Sequence, residues 1–270
     1  MNYRKLTLCL LLAFLAHLPL MSQTAIIAHR GLWNVRGSAQ NSIESLHRAY
    51  DTRGIYGLEI DVQLTRDSVL ILSHDPDIGG YRIDKTDWSQ LRDNVRLRSK
   101  EQIPTLDEFL EALSSYPDLK LFLELKTQED PGSERYLADQ ALAMVKAHGL
   151  LERTAFISFS IEICKQLVKS SPESLVMHLR ADYSPKELYA MGMRGVDYNY
   201  SVFWKHPEWF DEARSLGMSI GAWTVNEPAT MQYFIIPRGF DFMTTDNVIP
   251  AMDVFDLLKI VPRDISKPIM

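Results

Sequence analysis

Cysteine is almost missing from this chain. There are two, Cys9 and Cys164. Cys9 falls in a leader-like stretch, so the rest of the chain has neither an internal disulfide nor a thiolate metal site. Cys164 has apolar neighbours at helical spacing, Ile161, Leu167 and Val168, and reads as a core residue rather than a nucleophile. Positive charge is also short: 29 Lys and Arg face 35 Asp and Glu, for a net charge of −6. That excludes a general attraction to nucleic acid or anionic lipid. Any phosphate must therefore be met by cations placed locally. No stretch is rich enough in Pro, Gly or Ser to mark a linker to a second domain. No glycine-rich fingerprint follows the first apolar strand, which counts against a dinucleotide-binding open sheet. The 46% hydrophobic content is ample for one sizeable core.

No apolar run is long enough to span a bilayer comfortably. The nearest opens the chain, where Arg4 and Lys5 precede an apolar run over residues 6–16 that breaks at His17 and Pro19. This is the layout of a secretory signal, with Ser22 suited to the position before the cut. Residues 1–22 are read as a signal peptide, leaving 23–270 as the mature chain. The expectation is a secreted or periplasmic protein with no stable membrane span.

Beyond the leader, short apolar runs alternate with amphipathic stretches. The runs cover 25–28, 58–64, 69–73, 119–125, 155–159, 175–179, 195–198, 218–223 and 240–243. Helix signals fill most gaps. Thr105-Leu106-Asp107-Glu108 and Ser184-Pro185-Lys186-Glu187 are capping boxes. Asn41 or Ser42 caps a helix ending near Gly54, Ser133 opens one that Gly149 closes, and Asn226 precedes another. Runs 58–64 and 69–73 are joined by Thr65-Arg66-Asp67-Ser68 alone. That is too short for a parallel crossover, so the second run folds back as a hairpin. Eight strands remain, each followed by a helical or irregular segment. This rhythm predicts an α/β fold, a (β/α)8 TIM barrel, with a polar, turn-rich insertion at about 75–104.

Site residues in such a barrel sit at the C-terminal strand ends. His29-Arg30-Gly31 closes the first strand. Glu59 and Asp61 alternate on the second and share one face. Acids inside an apolar strand are costly unless something positive sits between them. The returning hairpin ends in His74-Asp75, which brings His74 back near Glu59. Glu124 and Lys126 share a face of a third strand, and Trp223-Thr224-Val225-Asn226 ends a later one. Glu59, Asp61 and Glu124 offer hard oxygen ligands suited to one divalent metal, Ca²⁺ or Mg²⁺, rather than Zn²⁺. Arg30 and Lys126 balance the remaining charge. Two histidines can divide acid and base roles near neutral pH. A phosphodiester fits this set.

In this order, His29-Arg30-Gly31, Glu59-x-Asp61, His74-Asp75, Glu124-x-Lys126 and Trp223-Thr224-Val225-Asn226 resemble the glycerophosphodiester phosphodiesterase family. The likeness runs from about Ile26 to Asp246. It implies metal-dependent cleavage of small-molecule glycerophosphodiesters to glycerol 3-phosphate and an alcohol. By that resemblance His29 and His74 are the acid–base pair, and Glu59, Asp61 and Glu124 hold the metal. Arg30 and Lys126 contact phosphate, and Asn41 and Trp223 belong to the substrate-binding set. One departure is local. The family usually reads Pro-Glu-Asn-Thr where this chain reads Ala39-Gln40-Asn41-Ser42. Trp33 and Arg36, in the same loop, are placed to contact the alcohol. Two other readings use the same barrel: a phospholipase D-like lipid phosphodiesterase, disfavoured by the polar insertion, and a catalytically silent binding barrel, disfavoured by the complete motif set.

Overall fold

A computed structural model describes residues 24–264 and 266–269. The leader at 1–22 lies outside the described residues. Eight parallel strands close on themselves: β1 (Ala25–Ala28), β2 (Ile55–Leu64), β6 (Lys120–Leu125), β7 (Thr154–Ser158), β8 (Leu175–His178), β9 (Gly195–Asn199), β10 (Ser219–Trp223) and β11 (Phe242–Thr245). Closure comes from β1, which pairs with β2 on one side and β11 on the other. The antiparallel β3 (Leu70–Leu72) pairs with the far end of β2, Val62 to Leu64, and is bridged on its other side by Thr105. It is therefore the hairpin excursion that the short connection demanded. No helix among the described residues is long and apolar enough to cross a membrane.

Apolar side chains divide into an inner and an outer layer. Ala25, Ile27, Phe122, Ala155, Met177 and Phe242 fill the barrel. Ile26, Leu58, Ile60, Val62, Leu121 and Leu123 face outward against the helices. On β2 this alternation has a phase change. Tyr56 packs inside, yet Leu58 and Ile60 pack outside. The register between β1 and β2 shifts there, since Ile26 pairs with Ile55 but Ile27 with Gly57. A bulge at this point turns Glu59 and Asp61 inward instead of out toward the helices. Gly57 is needed at the bulge, because a Cβ would lie 2.7 Å from the Lys120 carbonyl oxygen.

Helix starts follow local hydrogen-bonding chemistry. Thr105 and Ser184 cap Leu106–Ser114 and Pro185–Ala190 with reciprocal capping boxes. Ser42, not Asn41, caps Ile43–Asp51, which ends before Gly54. Asp130 rather than Ser133 caps the longer helix Pro131–Ala147, its side chain accepting from the Gly132 and Ser133 amides. The insertion is less loop-like than its polarity suggested. It carries a small hairpin of β4 (Asp77–Ile78) and β5 (Tyr81–Arg82) and a helix at Trp88–Asn94. Ile83, Leu91, Val95 and Ile103 bury themselves with Ile71 as a separate small core under the barrel's upper rim. Cys164 is fully buried, and burial pushes its thiol well up, as a core residue requires.

The segment after Val248–Leu258 returns beneath the barrel. The Arg263 amide donates to the Thr24 carbonyl. The Tyr56 hydroxyl donates to the Lys267 and Pro268 carbonyls. Ile269 joins the inner apolar cluster. The lower mouth is thus covered, and the His29, Glu59, Asp61 and Glu124 cluster lies at the other end of the barrel.

Candidate active site

The turn leaving β1 carries the first two site residues. Arg30 and Gly31 are both left-handed, with φ of 55° and 75°. Glycine suits that backbone, and a Cβ on Gly31 would also lie 2.1 Å from Ser45 Oγ. The Gly31 amide donates to the Glu59 carbonyl, and the Arg30 amide donates to Glu59 Oε2 at 2.9 Å. One tight turn therefore sets His29 and Arg30 against the acids of β2.

Glu59, Asp61 and Glu124 come together inside the barrel. Each offers an oxygen within 4.8 Å of the others, and all three are buried. Lys126 Nζ lies 2.7 Å from Asp61 Oδ1 and 2.6 Å from Glu124 Oε1. Arg30 Nε is 3.7 Å from Asp61 Oδ2. Burial followed by Asp61 and Glu124 pushes Glu59 well up. Burial and Asp61 raise Glu124 to about 7. Burial also opposes charge on Asp61, but Lys126, His74 and Asn41 hold it below the usual range. Glu59 Oε1 is buried with no hydrogen-bond partner. Three acids converge here on too few cations, with an orphaned oxygen among them. This hard-oxygen set fits a divalent cation.

The histidines flank the cluster. The His29 Nδ1–H donates to Asp246 Oδ1 at 2.9 Å, which leaves Nε2 directed toward the acids, 3.9 Å from Glu59 Oε2. Asp246 also accepts from Trp33 Nε1 at 3.0 Å and from Asn226 Nδ2 at 2.8 Å. Burial alone would raise Asp246, but these bonds hold it at about 2, so it acts only as an acceptor and fixes the His29 tautomer. His74 Nδ1 is 2.8 Å from Asp75 Oδ1. Burial and Lys126 lower His74 from its ordinary value.

Two cavities meet here. The inner one, about 110 Å³, is lined by His29, Arg30, Glu59, His74, Glu124, Asp197 and Trp223, with Phe159 and Leu179 as apolar wall. The outer one, about 250 Å³, lies between the β1 loop and the insertion. Trp33, Gln40, Asn41, His74, Asp75 and Arg98 are among its lining residues. His74 faces both.

Nine residues were expected at the site from sequence, and His29, His74, Arg30, Lys126, Trp223, Glu59, Asp61 and Glu124 gather around the inner cavity or its acid cluster. Asn41 borders the outer cavity, but its amide is occupied at both ends. Its Nδ2 donates to Asp61 Oδ2 at 2.8 Å, and its Oδ1 accepts from the Asp61 amide at 3.0 Å. Through these two bonds it orients the Asp61 carboxylate. Arg36 is exposed and lines neither cavity. The arginine beside Trp33 is Arg98, 5.4 Å above its ring. Gln40 accepts from Arg30 Nη1 at 2.9 Å, so the neutral amide holds the guanidinium without cancelling its charge.

Two acids carry roles that the sequence motifs did not assign. Asp246 immediately follows β11, beyond the apolar run 240–243, where no motif marks it. Asp197 is the middle residue of β9, 3% exposed, and its Oδ1 has no hydrogen-bond partner. Burial and the charge of Glu124 raise it to about 8. An acid inside the apolar run 195–198 was its available signal.

Comparison with known proteins agrees with this geometry. The sequence profile of the Glycerophosphoryl diester phosphodiesterase family matches residues 29–249. A glycerophosphodiester phosphodiesterase structure from Parabacteroides distasonis is 39% identical, with a TM-score of 0.85 over 88% of this chain and 99% of that one. A glycerophosphodiester phosphodiesterase of Caldanaerobacter subterraneus subsp. tengcongensis is 28% identical over 83% of this chain and 95% of its own length. An Oleispira antarctica phosphodiesterase, solved with the product sn-glycerol-3-phosphate, is 26% identical with a TM-score of 0.72, over 87% of this chain and 97% of that one.

Proposed function

The chain belongs to the glycerophosphoryl diester phosphodiesterase family, and from that membership together with the site geometry we propose that it hydrolyses glycerophosphodiesters to glycerol 3-phosphate and an alcohol. The observation that carries the reading is the buried triad Glu59, Asp61 and Glu124, flanked by Arg30, Lys126 and both histidines. The oxygen-only donor set supports Ca²⁺ or Mg²⁺. When bound, the ion would polarise a non-bridging phosphate oxygen and offset the acids.

The two cavities divide the diester. The glycerol and phosphate occupy the inner one, where Arg30 and Lys126 supply positive charge, and the alcohol lies in the outer one beside Trp33. His29, on the glycerol side and oriented by Asp246, takes the proton of the glycerol 2-hydroxyl as its oxygen attacks phosphorus. His74, facing both cavities, donates a proton to the departing alcohol oxygen as the P–O bond breaks. The product of this step is a cyclic phosphate. Water then adds to phosphorus and opens the ring, with the proton transfers reversed, to give glycerol 3-phosphate. The leader at residues 1–22 supports export, which would place the enzyme in a secreted or periplasmic setting.

The test is release of glycerol 3-phosphate from glycerophosphocholine. EDTA abolishes it, and adding Ca²⁺ or Mg²⁺ back restores it. His29→Ala and His74→Ala each lower kcat by roughly 10²–10⁴-fold. Full activity in either variant would sink the assigned mechanism.

A further inference from the structure

Two of the carboxylates that line the inner cavity have a buried oxygen with neither a hydrogen bond nor an ion pair, Glu59 Oε1 and Asp197 Oδ1. The first belongs to the acid cluster. The second is on β9, four strands round the barrel from β2 and outside the group formed by Glu59, Asp61 and Glu124. Leaving a buried carboxyl oxygen without a partner is costly, and the fold makes room for this one. Gly221, paired with Asp197 across β9 and β10, would carry a Cβ only 2.5 Å from Asp197 Oδ1. The strand position beside it is also fixed, because Trp223 Nε1 donates to the Asp197 carbonyl at 2.9 Å. Trp223 in turn stands edge-on to Phe159 with centroids 5.4 Å apart. The result is an apolar wall of Phe159, Leu179, Ile157 and Trp223 with a carboxyl group set into it.

Such a wall suits a short carbon chain that carries a hydroxyl. We propose that Asp197 is the group that recognises the glycerol moiety, its carboxyl hydrogen-bonding the terminal hydroxyl remote from phosphorus. This rests on the proposed function, which places the glycerol in the inner cavity with its 2-hydroxyl at His29. The remaining hydroxyl then points away from the acid cluster, toward the wall that holds Asp197. A hydroxyl both donates and accepts, so it satisfies this carboxyl in either protonation state. Asp197 is thus a specificity residue. Diesters lacking the terminal hydroxyl leave its carboxyl unpaired and bind less well.

The test compares two ligands by calorimetry in saturating Ca²⁺ or Mg²⁺: sn-glycerol 3-phosphate, and 2-hydroxypropyl phosphate, which differs only in lacking the terminal hydroxyl. Wild type is expected to prefer the first by roughly 10–100-fold, the range of one hydrogen bond to a buried carboxyl. Asp197→Ala brings the ratio to about 1 by weakening glycerol 3-phosphate alone, and Asp197→Asn, an isostere that keeps a hydrogen bond, restores most of the preference. With glycerophosphocholine the loss falls mainly on KM. Equal affinity of wild type for both ligands, or an undiminished preference in Asp197→Ala, overturns the assignment. Failure of wild type to hydrolyse glycerophosphocholine while it still prefers glycerol 3-phosphate removes the proposed reaction and leaves the recognition site standing.

Discussion

Glu124 ties the stability of the metal-free protein to pH. Burial and Asp61 lift its carboxyl from 4.5 to about 7. Between those values the folded protein holds a proton that the unfolded chain has released. The resulting stabilisation is fully present below pH 4.5 and is lost as the pH rises through about 7. At about 1.4 kcal/mol per pH unit, the separation amounts to about 3 kcal/mol. For a chain of this size each kcal/mol moves Tm by roughly 2–4 °C, so the loss corresponds to roughly 6–12 °C. Neighbouring groups are shifted as well, Glu59 and Asp197 upward and His74 downward, so the quantity to measure is a difference. Wild type and Glu124→Gln are melted in EDTA at about pH 4.5 and about pH 8, and the variant's change is subtracted. Glutamine has no proton to lose, and the wild type should lose about 3 kcal/mol more than the variant across this range. Saturating Ca²⁺ or Mg²⁺ should cancel most of the excess, since an ion at 100 times its Kd contributes about 2.7 kcal/mol. Parallel pH profiles for the two proteins in EDTA would refute the reasoning.

Asp246→Asn replaces an acceptor that serves His29, Trp33 and Asn226 at once, so kcat on glycerophosphocholine should fall by roughly 10²–10⁴-fold with the fold intact by circular dichroism. An unchanged kcat would show that His29 is oriented by something else. Gly31→Ala forces a Cβ to within 2.1 Å of Ser45 Oγ at a φ of 75°, and urea unfolding should register a loss of about 2 kcal/mol or more. Because that turn carries His29 and Arg30, activity should fall as well. Thr105→Ala removes one half of the capping box that starts Leu106–Ser114. It should cost about 1 kcal/mol and leave kcat as it was.

What was legible in the sequence depended on period and position. Glu59 and Asp61 declared themselves because two acids at a spacing of two on an apolar strand have few bland explanations. The four-residue link after Leu64 forced a hairpin on chain length alone. Asp197 obeyed the same rule as Glu59, but one isolated acid carries no spacing, and its Gly221 partner is 24 positions away on another strand. Asp246 lay just beyond a strand whose end was placed at 243 instead of Thr245. Its bond to His29 spans 217 positions, which no local pattern encodes. The direction of Asn41 was similarly hidden, since its left-handed backbone and its grip on Asp61 appear only after β1 and β2 pair. The β2 bulge is the deepest omission. Alternation predicted that Glu59 and Asp61 share a face, while the face they share is decided by one extra residue near Tyr56.

The strap at 263–269 sets an order of events for biosynthesis. Its contacts reach back to Thr24 and Tyr56, at the opposite end of the described sequence. Until the strap docks, the lower mouth stays open and Ala25, Ile27 and Tyr56 remain wettable. β1 likewise waits for β11 before it gains its second neighbour. A chain in which residues beyond 240 have not yet joined is therefore an unclosed sheet with two adhesive edges, the form most in need of a chaperone. Sealing comes as one late step that joins residues near both ends of the described chain, on the face away from the acid cluster.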